Sequence, residues 1–162
     1  MSNQEIGNSF EKKIFEILRA CNWWVHKVAR NESGQQPCDL VAVKNNNVLL
    51  VECKTISNAK NRFSLSRVEA NQEMTGIGLA KVGSIQTYIF AFEHSDGSVW
   101  LSSARTILEA KFKGDKSITG GEVCIFKSGQ LLRPSTAEQM DESEPFATDS
   151  ELPILNIIPE KD

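Results

Sequence analysis

Three charged residues interrupt two otherwise apolar segments. Asp39 lies in Pro37-Cys38-Asp39-Leu40-Val41-Ala42-Val43, and Glu52 and Lys54 lie in Val48-Leu49-Leu50-Val51-Glu52-Cys53-Lys54. Removing charges from water is unfavourable unless they pair or bind a metal, so a cluster of this kind calls for a partner. The plain alternative is a salt-bridged strand end in which Lys54 neutralises Glu52 or Asp39. The chemical alternative is a divalent-metal site. Hard carboxylate oxygens suit Mg2+ or Mn2+, which keep several waters and share phosphate oxygens. Such an ion polarises a phosphodiester and lowers the pKa of bound water, and an adjacent lysine can orient that water or offset charge on the phosphorus.

The elements that must bring these groups together are readable from pattern. Two runs rich in Val and Leu joined by Asn45-Asn46-Asn47 predict a β-hairpin. In the two-residue repeat of a strand, Glu52 and Lys54 share one face, while Val51 and Cys53 share the other. Antiparallel pairing then places Asp39 opposite the Glu52/Lys54 end. Upstream, apolar positions 10, 14, 17, 18 and 21 predict an amphipathic helix over Asn8–Cys21. Glu11 falls one position round from that stripe. Read as structure it is a first-turn acid favoured by the helix dipole, and spacing favours this over a third acid leaning toward the hairpin.

Residues 22–29 read as a strand, with Trp23 and Trp24 as core and rim packing and His26 as a structural histidine. A polar loop from Arg30 to Gln36 leads to Asp39. After Lys54, the loop from Thr55 to Ser66 brings Lys60 and Arg62, with Arg67 just beyond it, to where phosphate-contacting cations would be useful, although a solvated loop looks similar. A helix is predicted over residues 66–81, with Ser66 and Glu69 at capping-box spacing and Gln72 facing inward. Gly76 and Gly78 weaken it while permitting close backbone approach. Residues 85–93 form the strongest strand signal, returning through His94–Gly97 to residues 98–101. Ser102 or Ser103 caps a short helix over residues 104–110, and residues 123–126 are a last short strand.

Taken together, Pro37-Cys38-Asp39 and Glu52-Cys53-Lys54 resemble the signature of the PD-(D/E)xK nuclease superfamily. Gly7-Asn8-Ser9-Phe10-Glu11, Val51-Glu52-Cys53-Lys54-Thr55, Arg62-Phe63-Ser64-Leu65 with Gln72, Ile85–Phe90 and Trp100–Ser103 resemble, in order, segments of Holliday-junction resolvases of the RecU type. The likeness spans residues 7 to 110 or thereabouts. It implies an α/β, restriction-endonuclease-like αβββαβ core whose mixed central sheet is flanked by helices. It further implies a metal-dependent DNA endonuclease acting on branched DNA as a homodimer. Asp39 and Glu52 would be Mg2+ (or Mn2+) ligands with Glu11 a further acidic member. Lys54 would position the attacking water, and Gln72 would support the site or touch DNA. Two departures are visible: the segment between the first strand and Asp39 is too short for a projecting stalk, and an extended basic N-terminal arm is lacking. The competing expectation is a non-catalytic nucleic-acid- or partner-binding module on the same fold.

Composition adds compartment and charge. With 162 residues, 40% hydrophobic and 24% charged, the chain suits one ordinary domain plus an appendage. It carries no apolar run of membrane-spanning length and no signal peptide, so a cytoplasmic protein is expected. Cys21, Cys38, Cys53 and Cys124 lack C-x-x-C spacing and read as free thiols rather than a zinc site. Residues 1–133 carry 17 Lys+Arg against 13 Asp+Glu, net +4, whereas residues 134–162 carry 1 against 8, net −7. A mildly basic nuclease-like domain over 1–133 and an acidic, flexible tail over 134–162 are therefore expected, with a polyanion as partner for the body. The apolar patch Leu152–Pro159 could dock on the body, a second subunit or a protein partner.

Overall fold

The computed structural model describes residues 1–33 and 35–132. The acidic segment 134–162, with its expected disorder over residues 135–151 and its apolar patch over 152–159, lies outside the described residues. Helix α1 (Asn3–Ala20) opens with a capping box in which the Ser2 Oγ accepts from the Glu5 N–H and the Glu5 carboxylate accepts from the Ser2 N–H. This box starts the helix five residues earlier than the apolar stripe alone predicts. Glu5 is therefore the first-turn acid, and Glu11 sits two turns further in. The dipole explanation of Glu11 is thereby corrected.

Strands β1 (Trp24–Lys27), β2 (Leu40–Lys44) and β3 (Asn47–Thr55) form an antiparallel meander with Leu40 opposite Val51. Asn45 and Asn46 both adopt positive φ, 49° and 64°, as a two-residue hairpin turn with right-handed strand twist requires. Helix α2 (Ala70–Lys81) then carries the chain across to β5 (Tyr88–Glu93), which pairs parallel with β3. The order helix, three strands, helix, strand is the predicted αβββαβ arrangement. Beyond it, β6 (Val99–Ser103) and β8 (Val123–Lys127) extend the sheet antiparallel, and β9 (Gln130–Leu131) ends it. Helix α3 (Ala104–Phe112) lies between β6 and β8 in sequence and is capped by Ser103, whose Oγ accepts from the Arg105 N–H. The result is one seven-stranded mixed sheet, with a separate ribbon of β4 (Arg62–Ser64) and β7 (Ser117–Thr119).

Each face of the sheet carries its own core. On one, Phe10, Ile14, Ile17 and Leu18 of α1 pack on Leu49, Val51, Ile89 and Leu101. On the other, Phe90 and Phe92 meet Phe63 and the α3 residues Ile107 and Leu108. Alternation along β3 sends Leu49, Val51 and Cys53 to the α1 face and Leu50, Glu52 and Lys54 to the opposite one, as the two-residue repeat predicts. Gly76 of α2 sits against Leu108, where a Cβ would collide with a terminal methyl of the buried leucine and force it to shift. No helix of the described residues is long and apolar enough to cross a membrane. All four cysteines are free.

Candidate active site

The carboxyl ends of the parallel pair β3 and β5 open into a cleft of about 970 Å³. Glu11, Asp39, Glu52, Lys54 and Gln72 all line it, with Arg30, Gln36, Arg67, Glu69 and Asn71 around them. In open α/β sheets the carboxyl ends of adjacent strands are where backbone diverges and ligands find room.

Asp39 immediately precedes β2 and its backbone is gripped from both sides. Its N–H donates to the Val51 carbonyl and its own carbonyl accepts from the Val28 N–H. The side chain continues the strand pairing, because Oδ2 accepts from the Cys53 N–H at 2.8 Å. The Gln36 Nε2 donates to Oδ1 at 2.6 Å, and the Asn71 Nδ2 in turn donates to the Gln36 carbonyl at 2.6 Å. Below, the Tyr88 hydroxyl donates to the Pro37 carbonyl at 3.2 Å and fixes the turn that presents Asp39. Burial raises the Asp39 carboxyl above the ordinary carboxylate range and Glu11 adds to the effect, while the Cys53 N–H, Lys54 and Gln36 oppose it.

Glu52 is more enclosed, with 5% of its surface exposed. Its Oε1 accepts from the Gln72 Nε2 at 2.5 Å and lies 3.3 Å from the Lys54 Nζ. Gln72 is buried and bridges two elements, since its Oε1 also accepts from the Glu69 N–H at 3.0 Å. Burial, reinforced by Asp39, pushes the Glu52 carboxyl up to about 8 against the pull of Lys54. Asp39 is raised by burial and Glu11, and Glu52 by burial and Asp39, with the Lys54 ammonium opposing both, so the site is short of positive charge.

Glu11 reaches the same cleft from α1, but its Oε2 lies 3.1 Å from the Lys27 Nζ at the end of β1. Among the described residues no group of three or more His, Cys, Asp or Glu side chains is arranged to hold a metal ion. Asp39 and Glu52 still fit Mg2+ or Mn2+, because such ions commonly take one or two carboxylates and fill the remaining positions with water and phosphate oxygens.

The cations divide. Arg67 lines the cleft, with its Nη1 donating to the Thr55 carbonyl at 2.7 Å and its guanidinium 5.3 Å from the Phe63 ring centre. Arg62 instead faces β7, donating to the Ser117 carbonyl at 2.7 Å and to the hydroxyls of Ser117 and Thr119. Lys60 is exposed, and neither it nor Arg62 lines the cleft. The N-cap of α2 lies three residues later than predicted, because residues 65–67 form a 3-10 turn and the reciprocal cap is Glu69 with Gln72 rather than Ser66 with Glu69. Sequence reading missed Gln36, Asn71 and Arg30. Gln36 adjoins Pro37-Cys38-Asp39 and Asn71 adjoins Gln72, but amides carry no charge pattern, and only the fold brings them together. Trp23 is buried and Trp24 exposed, stacked on His26 at 5.9 Å, which agrees with core and rim roles.

A comparison of the sequence with curated proteins returned no match. Among solved structures, the chain is similar to the Holliday junction resolvase Hjc of the archaeon Archaeoglobus fulgidus, at 16% identity and a TM-score of 0.47, covering 61% of this chain and 78% of that one. It is also similar to the bacterial homing endonuclease I-Ssp6803I, at 12% identity and a TM-score of 0.49, covering 82% and 83%. The family model described as archaeal Holliday junction resolvase (Hjc) matches residues 2–74. That segment carries Glu11, Asp39, Glu52, Lys54 and Gln72, and the match supports a Holliday-junction-resolvase-like nuclease.

Proposed function

We propose that the protein is a metal-dependent DNA endonuclease that hydrolyses phosphodiester bonds in branched DNA, a Holliday-junction resolvase in kind. The observation that carries this reading is the convergence of Asp39, Glu52 and Lys54 at the open end of β3 and β5, inside the segment that matches the resolvase family. Asp39 and Glu52 would hold Mg2+ or Mn2+, with Glu11 as a further acidic member. Bound there, such an ion would supply Lewis-acid chemistry toward the phosphate and the attacking water. Lys54, held beside Glu52, orients the attacking water or offsets charge on the phosphorus in flight. Gln72 fixes the Glu52 carboxylate, and Gln36 fixes that of Asp39. Arg67 and Arg30 contact flanking phosphates, whereas Arg62 holds the β4–β7 ribbon and Lys60 can reach only DNA beyond the cleft. Free thiols suit a reducing, cytoplasmic compartment.

A four-way junction presents two equivalent strands, so paired cuts call for a homodimer of two-fold symmetry. The family match names the archaeal resolvase type, and the RecU type rests on the sequence resemblance alone. The non-catalytic alternative draws on the absence of a three-ligand group among the described residues. A cleavage panel of four-way junction, flap, single-strand and duplex DNA in Mg2+ or Mn2+ decides between them. Preferential cutting of the junction supports the proposal, and no cutting of any substrate together with no calorimetric binding of either ion supports the binding module.

A further inference from the structure

We propose that Lys27 is a positioning residue that pairs with Glu11 and competes for it with a divalent ion bound in the cleft. The inference rests on the metal reading above and concerns only this chain's own residues. Lys27 closes β1, opposite Leu40 in the β2 register, and the next residue, Val28, donates its N–H to the Asp39 carbonyl. From there the Lys27 Nζ reaches 3.1 Å from the Glu11 Oε2, with 59% of the lysine side chain exposed against 10% of the glutamate's. The carboxylate is thus fixed in the cleft wall by a partner that can swing into water without disturbing the core. Glu11 already acts electrostatically on Asp39, so the two acids share one field although they share no ligand point. An ion bound at Asp39 offers Glu11 a stronger partner than a half-hydrated ammonium.

Exposed lysine–carboxylate pairs have small interaction energies, so the competition is modest: Lys27→Ala should tighten Mg2+ or Mn2+ binding by about two- to fivefold in calorimetry. Lys27→Arg, which keeps a cation on Glu11, should bind the metal no better than the parent. The deciding arm is a double-mutant cycle. In a Glu11→Gln background the gain from Lys27→Ala should vanish, because there is no carboxylate left to contest. A gain that persists in that background reports only a nearby positive charge and overturns the proposal, as does unchanged or weaker binding in Lys27→Ala alone. Parallel circular-dichroism melts establish that each variant is folded. Absence of any saturable metal binding in the parent protein would instead overturn the metal reading itself.

Discussion

Glu52 illustrates how a single side chain can couple fold and chemistry. Its carboxyl, ordinarily near 4.5, is pushed up to about 8 by burial. A carboxyl raised by folding holds a proton in the fold that it loses on unfolding. Its stabilising effect is complete below pH 4.5 and is lost as pH climbs toward 8. In the metal-free protein stability should therefore decline across that window, by up to about 1.4 kcal/mol per pH unit from this group. Glu52→Gln should flatten the decline, since Gln keeps the acceptor for Gln72 and carries no proton to lose. Urea denaturation at both ends of the window checks this, and an equal slope in the variant would refute it. Metal uptake needs the ionised form, so binding should release a proton within the same window. Asp39, Glu52 and Lys54 were legible from sequence because charges in apolar strands stand out. The environment of Gln72 was only half legible: inward direction follows from helical spacing, whereas its role as a bridge from the Glu69 N–H to Glu52 depends on where α2 starts. Gln72→Ala should strand the buried carboxylate and weaken metal affinity about 10- to 100-fold by calorimetry.

At the scale of elements, β3 does two tasks at once. Its α1 face builds the core, and its other face turns charged at Glu52 and Lys54, toward the carboxyl end of its pairing with the parallel neighbour β5. The apolar run and the Glu-x-Lys spacing made this strand readable, as they did the Asn45–Asn46 hairpin. The ribbon of β4 and β7 was not readable, because two three-residue strands separated by more than fifty positions carry no local pattern and exist through Phe63 packing on Phe92. The start of α1 was misplaced for another reason: Ser2 and Glu5 hold the first turn by capping alone, outside the apolar stripe. Helix α2 offers a contrast within one element. Gly76→Ala should destabilise the protein by about 1–3 kcal/mol, because the new methyl meets Leu108 in a filled contact. Gly78→Ala, with nothing within 4 Å of its Cβ position, should stabilise it by about 0.4–1 kcal/mol through helix propensity and chain entropy. Denaturation midpoints of the two variants should move in opposite directions.

For the whole molecule, charge is unevenly placed along the sequence. The first 133 residues carry net +4 and the remaining 29 carry −7. We propose that the acidic segment competes with DNA for the basic body. Truncation after Arg133 should then tighten junction binding at low salt and lose that advantage as salt rises, since exposed charges are screened. Equal affinities with and without the segment would reject the competition. The central claim is that Asp39, Glu52 and Lys54 form one metal-dependent phosphodiesterase site. Its most direct test is the single-turnover rate of four-way-junction cleavage in Mg2+ for the parent, Asp39→Asn and Lys54→Ala. The account predicts metal-dependent cutting by the parent and a loss of roughly 100-fold or more in each variant while both remain folded. Cutting at the parental rate by both variants would contradict it.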